Sequence, residues 1–583
     1  MKKIFSILSF GCLLLAVSCT NFLDLEPTVI TSTNFYQSDK DVQYGLNAVY
    51  GAMSGDAFYG RIYGLYMVMT DDLLWCRAES DSNKECWFNH DATTNNLYLA
   101  WTRIYAGVKN ANEFIASITP LAETLDPTGE FLAQARFLRA YYHFVLAQTW
   151  GDVPLHKDPV DTYEGASCPA TPQYEVMKWC VEEIETVLPQ LSESLDGAPS
   201  KVVANTARAI LARFYLFMAG ETVDCPADVK HGYIGKARDL CKTVIDSRQH
   251  RLNPDYVNIF ERLVRDQYDT DFRESMWEIE FKGDQISASD WSNGQWGNLI
   301  GILAIENNNS DFSNWVVNYA NAWYLGSIKL WDLYMNDDRT SDEYNLDRQT
   351  DERQIWNMPP YHYGGQYTAN AVQLYPYDGV PTDIHLIQSG KEKCPYGGSV
   401  PNSSLSDFTY HAGNRYLCKY RRYVEWEGQK TFKSTRTCVN MPLLRYPDVL
   451  LMFAEADNEY NGTPSQEAYE CVKLIRDRAK VKTRDFAEYD HAAFRQLVRN
   501  ERARELVGEA GIRRFDLIRW GNFAGVMRTT YNAYFTDVRC AGVTTASTYA
   551  AHIPGNVKER HILFPIPNIE LGVNTELKQN KLW

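Results

Sequence analysis

The chain lacks a long hydrophobic run past its start, a positive net charge, closely paired cysteines and the common catalytic signatures. Each absence removes a class of function. Beyond the N-terminal apolar stretch, no segment reaches the roughly 18 consecutive apolar residues that read as a membrane-spanning helix. The formal net charge is -16, which argues against a nucleic-acid surface, because such a surface needs a basic patch. Acidity of this kind mainly favours solubility. Of 13 cysteines, setting aside Cys12 and Cys19 leaves eleven, scattered singly with no C-x-x-C pair. Cys76 and Cys86 are placed to close a small loop if the protein is exported, and buried free thiols are the alternative. An odd remainder leaves at least one thiol without a partner in the chain. There is no H-E-x-x-H, no G-x-S-x-G and no phosphate-cradling G-x-x-x-x-G-K-[ST]. The 74 acidic residues guarantee some close carboxylate pairs, so acidic content identifies no glycosidase pair. The chain is therefore expected not to be an enzyme.

What is present begins at the N-terminus. Lys2 and Lys3 precede an apolar run from Ile4 to Val17, then the small residue Ser18 and Cys19. A charged start, a hydrophobic middle and a small-residue cut site make a secretory signal, residues 1–18. Ala16-Val17-Ser18-Cys19 is a loose bacterial lipobox, so Cys19 is the expected site of lipidation. Several acyl chains on one residue give stable anchoring where one gives only marginal binding.

From Asp39 to about Gly220 the patterning is helical. Phe131, Ala135, Leu138, Tyr142 and Val145 share one face of a helix that runs to Trp150. Gly151 and Pro154 predict its end. Further helices are predicted over Thr171–Val187, Asn205–Met218 with Gly220 as C-cap, and Ile234–Ser247. Ala207, Ala209 and Ala212 let a neighbouring helix approach closely. Paired helices of this length with alanine contacts predict a mainly α fold of tetratricopeptide-like hairpins. Helical patterning returns at Leu443–Tyr460, Ser465–Ala479 and His491–Val507. Between Arg273 and Tyr423 the chain instead shows short apolar pieces, such as Met276–Phe281, among long polar stretches. Loops of that length are usually functional or disordered.

Aromatic residues make up 13% of the chain, with 37 Tyr and 15 Trp. Many lie in those polar stretches, among them Trp291, Trp296, Trp315, Trp323, Trp356, Tyr361 and Tyr363. Disordered segments are poor in aromatics, so these read as ordered loops that display rings. Sugar rings offer a C–H face to Trp or Tyr, while their hydroxyls need Asn, Asp, Arg or Gln. Trp75 follows Asp71-Asp72, Trp87 precedes Asn89, Trp291 and Trp296 sit among Asp290, Asn293, Gln295 and Asn298, and Trp315 follows Asn314. Arg495, Arg499 and Arg502, flanked by Glu501, Arg504 and Glu505, have the spacing of structural ion pairs, with Arg514 and Asp516 tying that helix to the next segment. Asn307–Asp311 and Asn336–Asp338 offer oxygen ligands suited to calcium, but neither has EF-hand spacing. No metal site is expected from them, and calcium is left as a possible ligand.

Several blocks resemble the SusD/RagB outer-membrane lipoproteins of the Bacteroidetes. They are Asn21–Pro27, Ala133–Tyr142 running into Trp150–Pro154, Ala207–Tyr215, Met441–Ala456, Glu501–Leu506, Arg514–Gly521 and the ending from Phe564 to Asn580. They occur in the family's order from the anchor to the tail. Pro447 departs from the pattern, where alanine is more usual, and predicts a kink at the start of its helix. The resemblance implies tetratricopeptide-type helix pairs supporting an irregular, loop-rich ligand face, with an N-terminal region 19–270 and a C-terminal region 271–583 in one compact unit. It implies a lipid-anchored place on the outer membrane facing outwards. Its implied partner is a TonB-dependent barrel of the SusC type, to which captured oligosaccharide or polysaccharide is passed. The family's ligand platform comes from one early loop and one past the middle, which selects Trp75, Trp291, Trp296 and Trp315, with Asp72 and Asn314 as polar partners. Peptide capture, glycan cleavage by an all-helical enzyme, and a structural lid without a ligand site are the alternatives.

Overall fold

The computed structural model describes residues 35–583 except 282–293, 302–319, 336–350, 369–370, 377–414, 422–435 and 538–547, and the single positions 161, 163, 164, 166, 195 and 360. The expected signal and Cys19 lie outside the described residues. Helices α1 (Asp39–Tyr50), α2 (Asn95–Ile118), α3 (Glu130–Trp150), α4 (Gln173–Val187), α5 (Ala204–Met218) and α6 (Ala227–Ser247) follow one another, each packed on the next. This is the mainly α, hairpin-like arrangement that the periodicity predicts. From Ala133 onward α3 is buried on nearly every side, because helices cover it on both flanks. Gly107 of α2 permits that closeness, since a Cβ there would stand 2.7 Å from the Tyr142 ring. The Tyr142 hydroxyl crosses to donate to the Val49 carbonyl at 2.6 Å, and Phe144 stacks on Phe214 of α5.

Two local expectations change. Gly220 is not a left-handed cap, for α5 ends at Ala219 in right-handed geometry. Its small size serves packing instead, since a Cβ at Gly220 would meet Arg519 at 2.7 Å. The helix predicted from Ile234 begins earlier, at Ala227, directly after Pro226.

Beside the helices, which continue with α7 (Tyr256–Val264), the described residues form three two-stranded antiparallel pairs. β1 (Leu73–Trp75) pairs with β3 (Tyr324–Gly326), β2 (Ser275–Ile279) with β6 (Met441–Arg445), and β4 (Tyr361–Thr368) with β5 (Ala371–Pro376). The predicted helix start at Leu443 is thus corrected, because that residue belongs to β6. Short helices α8 (Ile328–Met335) and α9 (Glu352–Asn357) precede α10 (Tyr446–Asn461), α11 (Gln466–Arg478), α12 (His491–Leu506), α13 (Ile512–Arg519), α14 (Phe523–Thr536) and α15 (Asn568–Val573). Pro447 falls in the first turn of α10, where its missing N–H costs nothing, so no kink arises from it. Ser465 and Asp490 cap α11 and α12 by accepting from Ala468 and Ala493. α10 packs on α6, α11 and α12, and α13 packs on α5, which joins the two ends of the sequence into one core. The tail docks there too: Phe564 N–H donates to the Thr149 carbonyl at 2.9 Å. Among the described residues no helix is long and apolar enough to cross a membrane.

The charged helices meet in a buried network of ion pairs. Arg445, at the end of β6, contacts Glu274 beside β2 at 2.7 Å and Glu509 at 2.6 Å. Arg478 of α11 bridges Glu274 at 2.9 Å and Glu505 at 2.7 Å. Arg353 of α9 joins Glu505 at 2.9 Å, Glu501 at 2.7 Å and Asp351 at 2.8 Å. Arg476 and Arg504 complete the surroundings of Glu501. A second cluster links Arg502 to Asp448 and Asp516, and Arg519 to Asp516 and Glu455. The structural reading holds for Arg495, Glu501, Arg502, Arg504, Glu505 and Asp516, mostly through pairs between distant segments, whereas Arg499 lies over the Trp520 ring and Arg514 donates to the His561 carbonyl.

Desolvation would push the Glu505 carboxyl up, yet Arg478, Arg445 and Arg353 hold it well below the usual carboxylate range. Removing one partner from such a network strands the others without compensation. Glu505→Gln should therefore cost about 3–5 kcal/mol, read as a lower denaturation midpoint. A carboxylate with a depressed folded-state pKa contributes fully above its unfolded value, near pH ~4.3, and loses that contribution as pH falls through the folded value. The stability gap between wild type and Glu505→Gln should accordingly be full at neutral pH and shrink on acidification below that point. A gap that stays constant down to strong acid would contradict the assignment.

Candidate functional site

Three of the expected ligand residues, Trp291, Trp315 and Asn314, lie outside the described residues, as do both candidate calcium stretches. The other three are corrected from surface to interior. Trp75 is 2% exposed, since its place in β1 turns the ring inward, edge-on to Tyr66, Trp323 and Tyr324 at 5.1–5.3 Å. Trp296 is 1% exposed; its indole N–H donates to the Tyr59 carbonyl at 2.8 Å, and Gly64 leaves room for the ring. Asp72 lies beneath β1 and accepts from Thr70. Burial first, and then the neighbouring Asp71, pushes its carboxyl up to about 6. Asp71 itself is held by Arg513 at 2.8 Å and by Lys329. None of the three presents a face to a ligand on the protein surface. Trp87 and Trp356 are buried as well, the latter under the Arg421 guanidinium at 3.8 Å.

Of the described loop tryptophans Trp296, Trp323 and Trp356, Trp323 stays partly open; the sequence placed it among the loop aromatics but not among the ligand residues. It sits just before β3, edge-on to Trp75 at 5.3 Å, with the Arg77 guanidinium 5.6 Å from its centroid. Arg77 also donates to the Asn321 carbonyl at 3.4 Å, and Cys76 N–H donates to the Trp323 carbonyl at 3.0 Å. Tyr416 joins this group through its bridge to Leu325. Residues 415–417 pair with β3, where Gly326 N–H donates to the Arg415 carbonyl and Leu417 N–H to the Tyr324 carbonyl. A half-buried indole beside a guanidinium and a phenol offers an apolar face next to hydrogen-bond donors. The sequence signal for it was Trp323 shortly after the polar stretch Glu306–Asn318; nothing in sequence spacing links it to Arg77.

The described residues hold no group of three or more His, Cys, Asp or Glu placed to bind a metal. Cys76 and Cys86 do not close a loop. Their thiols are free and face the Ala322 and Tyr66 carbonyls respectively, because β1 and the short helix Lys84–Trp87 direct them to different neighbours.

Residues 21–216 match a family described as starch-binding and associating with the outer membrane, and residues 273–583 match the SusD family. The chain is 25% identical to SusD-like protein P2 of Formosa agariphila over 496 residues, 82% of each chain. Its fold resembles a SusD homologue from Bacteroides thetaiotaomicron with a TM-score of 0.77 at 21% identity, covering 95% of this chain and 98% of that one. It also resembles surface glycan-binding protein A from Bacteroides fluxus, with a TM-score of 0.64 at 18% identity, covering 94% of this chain and 100% of that one. A strand pair flanked by long polar stretches on a helical frame thus coincides with a sequence match over more than half its length, and the chain belongs to the SusD family.

Proposed function

We propose that this protein captures oligosaccharide or polysaccharide at the cell surface without cleaving it, and passes it to a SusC-type TonB-dependent barrel. Lipid on Cys19 would hold it to the outer membrane. The observation that carries this reading is the Trp323–Arg77–Tyr416 cluster, adjacent in sequence to the aromatic-bearing stretches 302–319 and 377–414. A sugar's C–H face packs on the indole, and its hydroxyls pair with the guanidinium and with polar side chains of the adjoining segments. The name of the Bacteroides fluxus relative and the family's description as starch-binding support the ligand class. Binding to such an open site is modest, because every sugar hydroxyl that pairs with the protein first gives up its water. Trp291 and Trp315 complete the platform in this proposal, with Asn314 beside Trp315.

A glycan and peptide array probed with the soluble chain that starts after Cys19 tests the reading. A group of related polysaccharides should bind; peptides alone would replace glycan capture by peptide capture. New reducing ends on incubation with a bound polysaccharide would overturn the non-catalytic role. Trp291→Ala or Trp315→Ala should weaken binding about tenfold or more, equal to ~1.4 kcal/mol, at an unchanged melting temperature. Trp296→Ala should do the reverse in stability, costing ~3–5 kcal/mol through the cavity it leaves. Titration calorimetry and thermal unfolding of the three variants separate these outcomes.

A further inference from the structure

Away from the strand pair β1–β3, two cavities open between the end of α1, the segment 192–203 that leads into α5, and β2 with the turn before it. One measures about 610 Å³ and the other about 410 Å³, each within the ~300–1,000 Å³ typical of ligand pockets. Ala198, Lys201 and Tyr268 line both, so the two form one bent cleft with Tyr268 at the junction. The Tyr268 hydroxyl donates to Glu280 at 2.5 Å, which fixes the ring there. Tyr50, at the far end, is fixed likewise: its hydroxyl donates to Gln134 at 2.7 Å and accepts from Val202 N–H at 2.9 Å.

A residue that lines the larger cavity carries an unsatisfied polar atom. It is His250, which is 3% exposed. Its Nδ1 lies 2.7 Å from the Arg273 carbonyl, an oxygen that only accepts, so Nδ1 carries the proton. Nε2 is buried and has no hydrogen-bond partner. Burial lowers the ring's pKa, leaving Nε2 a neutral acceptor in want of a donor, and buried polar atoms of this kind are ordinarily paired.

The walls select the ligand's chemistry. Lys201 and Arg273 stand against Glu130, Asp196 and Asp269, and the Asp269 carboxylate is already engaged by Phe272 N–H and Glu274 N–H. The smaller cavity adds Glu278 and Glu280, so the cleft as a whole is acidic and disfavours an anionic ligand. Ser192, Ser194 and Thr270 add hydroxyls. Half-buried phenol rings, scattered hydroxyls and a lone acceptor match a neutral polyhydroxylated ligand. We propose that this bent cleft is a second binding site for neutral oligosaccharide, in which His250 Nε2 accepts a sugar hydroxyl and Tyr268 packs on a sugar ring. The ligand class rests on the glycan reading given above; the site itself uses none of the residues proposed for the loop face.

The test uses the soluble full-length chain on an oligosaccharide array. The double variant Trp291→Ala/Trp315→Ala should retain part of the wild-type binding. Adding Ala198→Trp, which fills the junction, or His250→Leu, which removes the acceptor, should reduce that remainder about tenfold or more. Thermal unfolding checks that each variant is folded, and Ala198→Trp decides the matter if the buried His250 substitution is not tolerated. Residual binding untouched by a folded Ala198→Trp variant overturns the proposal. So does a double variant that binds nothing while wild type binds, an outcome that leaves the glycan reading standing. A wild type silent on every oligosaccharide removes the glycan reading, and the second site with it.

Discussion

The arrangement depends on a buried set of arginine–carboxylate pairs. Arg445, Arg478 and Arg353 share Glu274, Glu505 and Glu501 at 2.7–3.0 Å with almost no solvent access. These six residues come from β2's approach, the end of β6, α9, α11 and α12, so one network fixes how the C-terminal helices meet the strand pair. Desolvating this much charge is unfavourable unless every partner is in place. That requirement makes the relative placement of these segments close to all-or-none. Lys419 extends the same logic, since it reaches Glu509 and donates to the Glu505 and Val507 carbonyls at 2.8 and 3.0 Å. Through it the chain re-entering after 377–414 is pinned to α12.

Further buried charge supports the first strand pair. The β1–β3 pair is short, but it rests on Asp71, whose carboxylate is gripped by Arg513 from α13 and by Lys329 from α8. Burial raises the neighbouring Asp72 while Arg513 and Lys329 hold the Asp71 carboxyl low, so the two neighbouring carboxyls are tuned in opposite directions. The aromatic residues divide by the same logic. Trp75, Trp296 and Trp356 fill the space beneath the strands, and Trp323 at the edge keeps part of its face open. The bent cleft by His250 lies on the helical side of the frame, where α1 and the lead into α5 meet β2.

The amino-acid sequence by itself determined the presence of the long helices and the charge-rich block, but not every helix end. Three-four periodicity places apolar side chains on one face of α3 whatever the rest of the chain does, and Ser465, Asp490 and Pro447 act within a turn of where they stand. The ordered blocks from Ala133 to the tail made the family legible for the same reason: they are local strings. Only the tertiary structure decided which aromatics are interior. Trp75 has Asp71-Asp72 before it, which reads like a sugar-binding neighbourhood, but Asp71 belongs to Arg513, far along the chain, and Asp72 accepts from Thr70. Gly220 looked like a cap and proved to be clearance for Arg519. Burial depends on what packs from elsewhere, and a polar neighbour in sequence does not reveal whether its partner is water, a ligand or an arginine several hundred residues away.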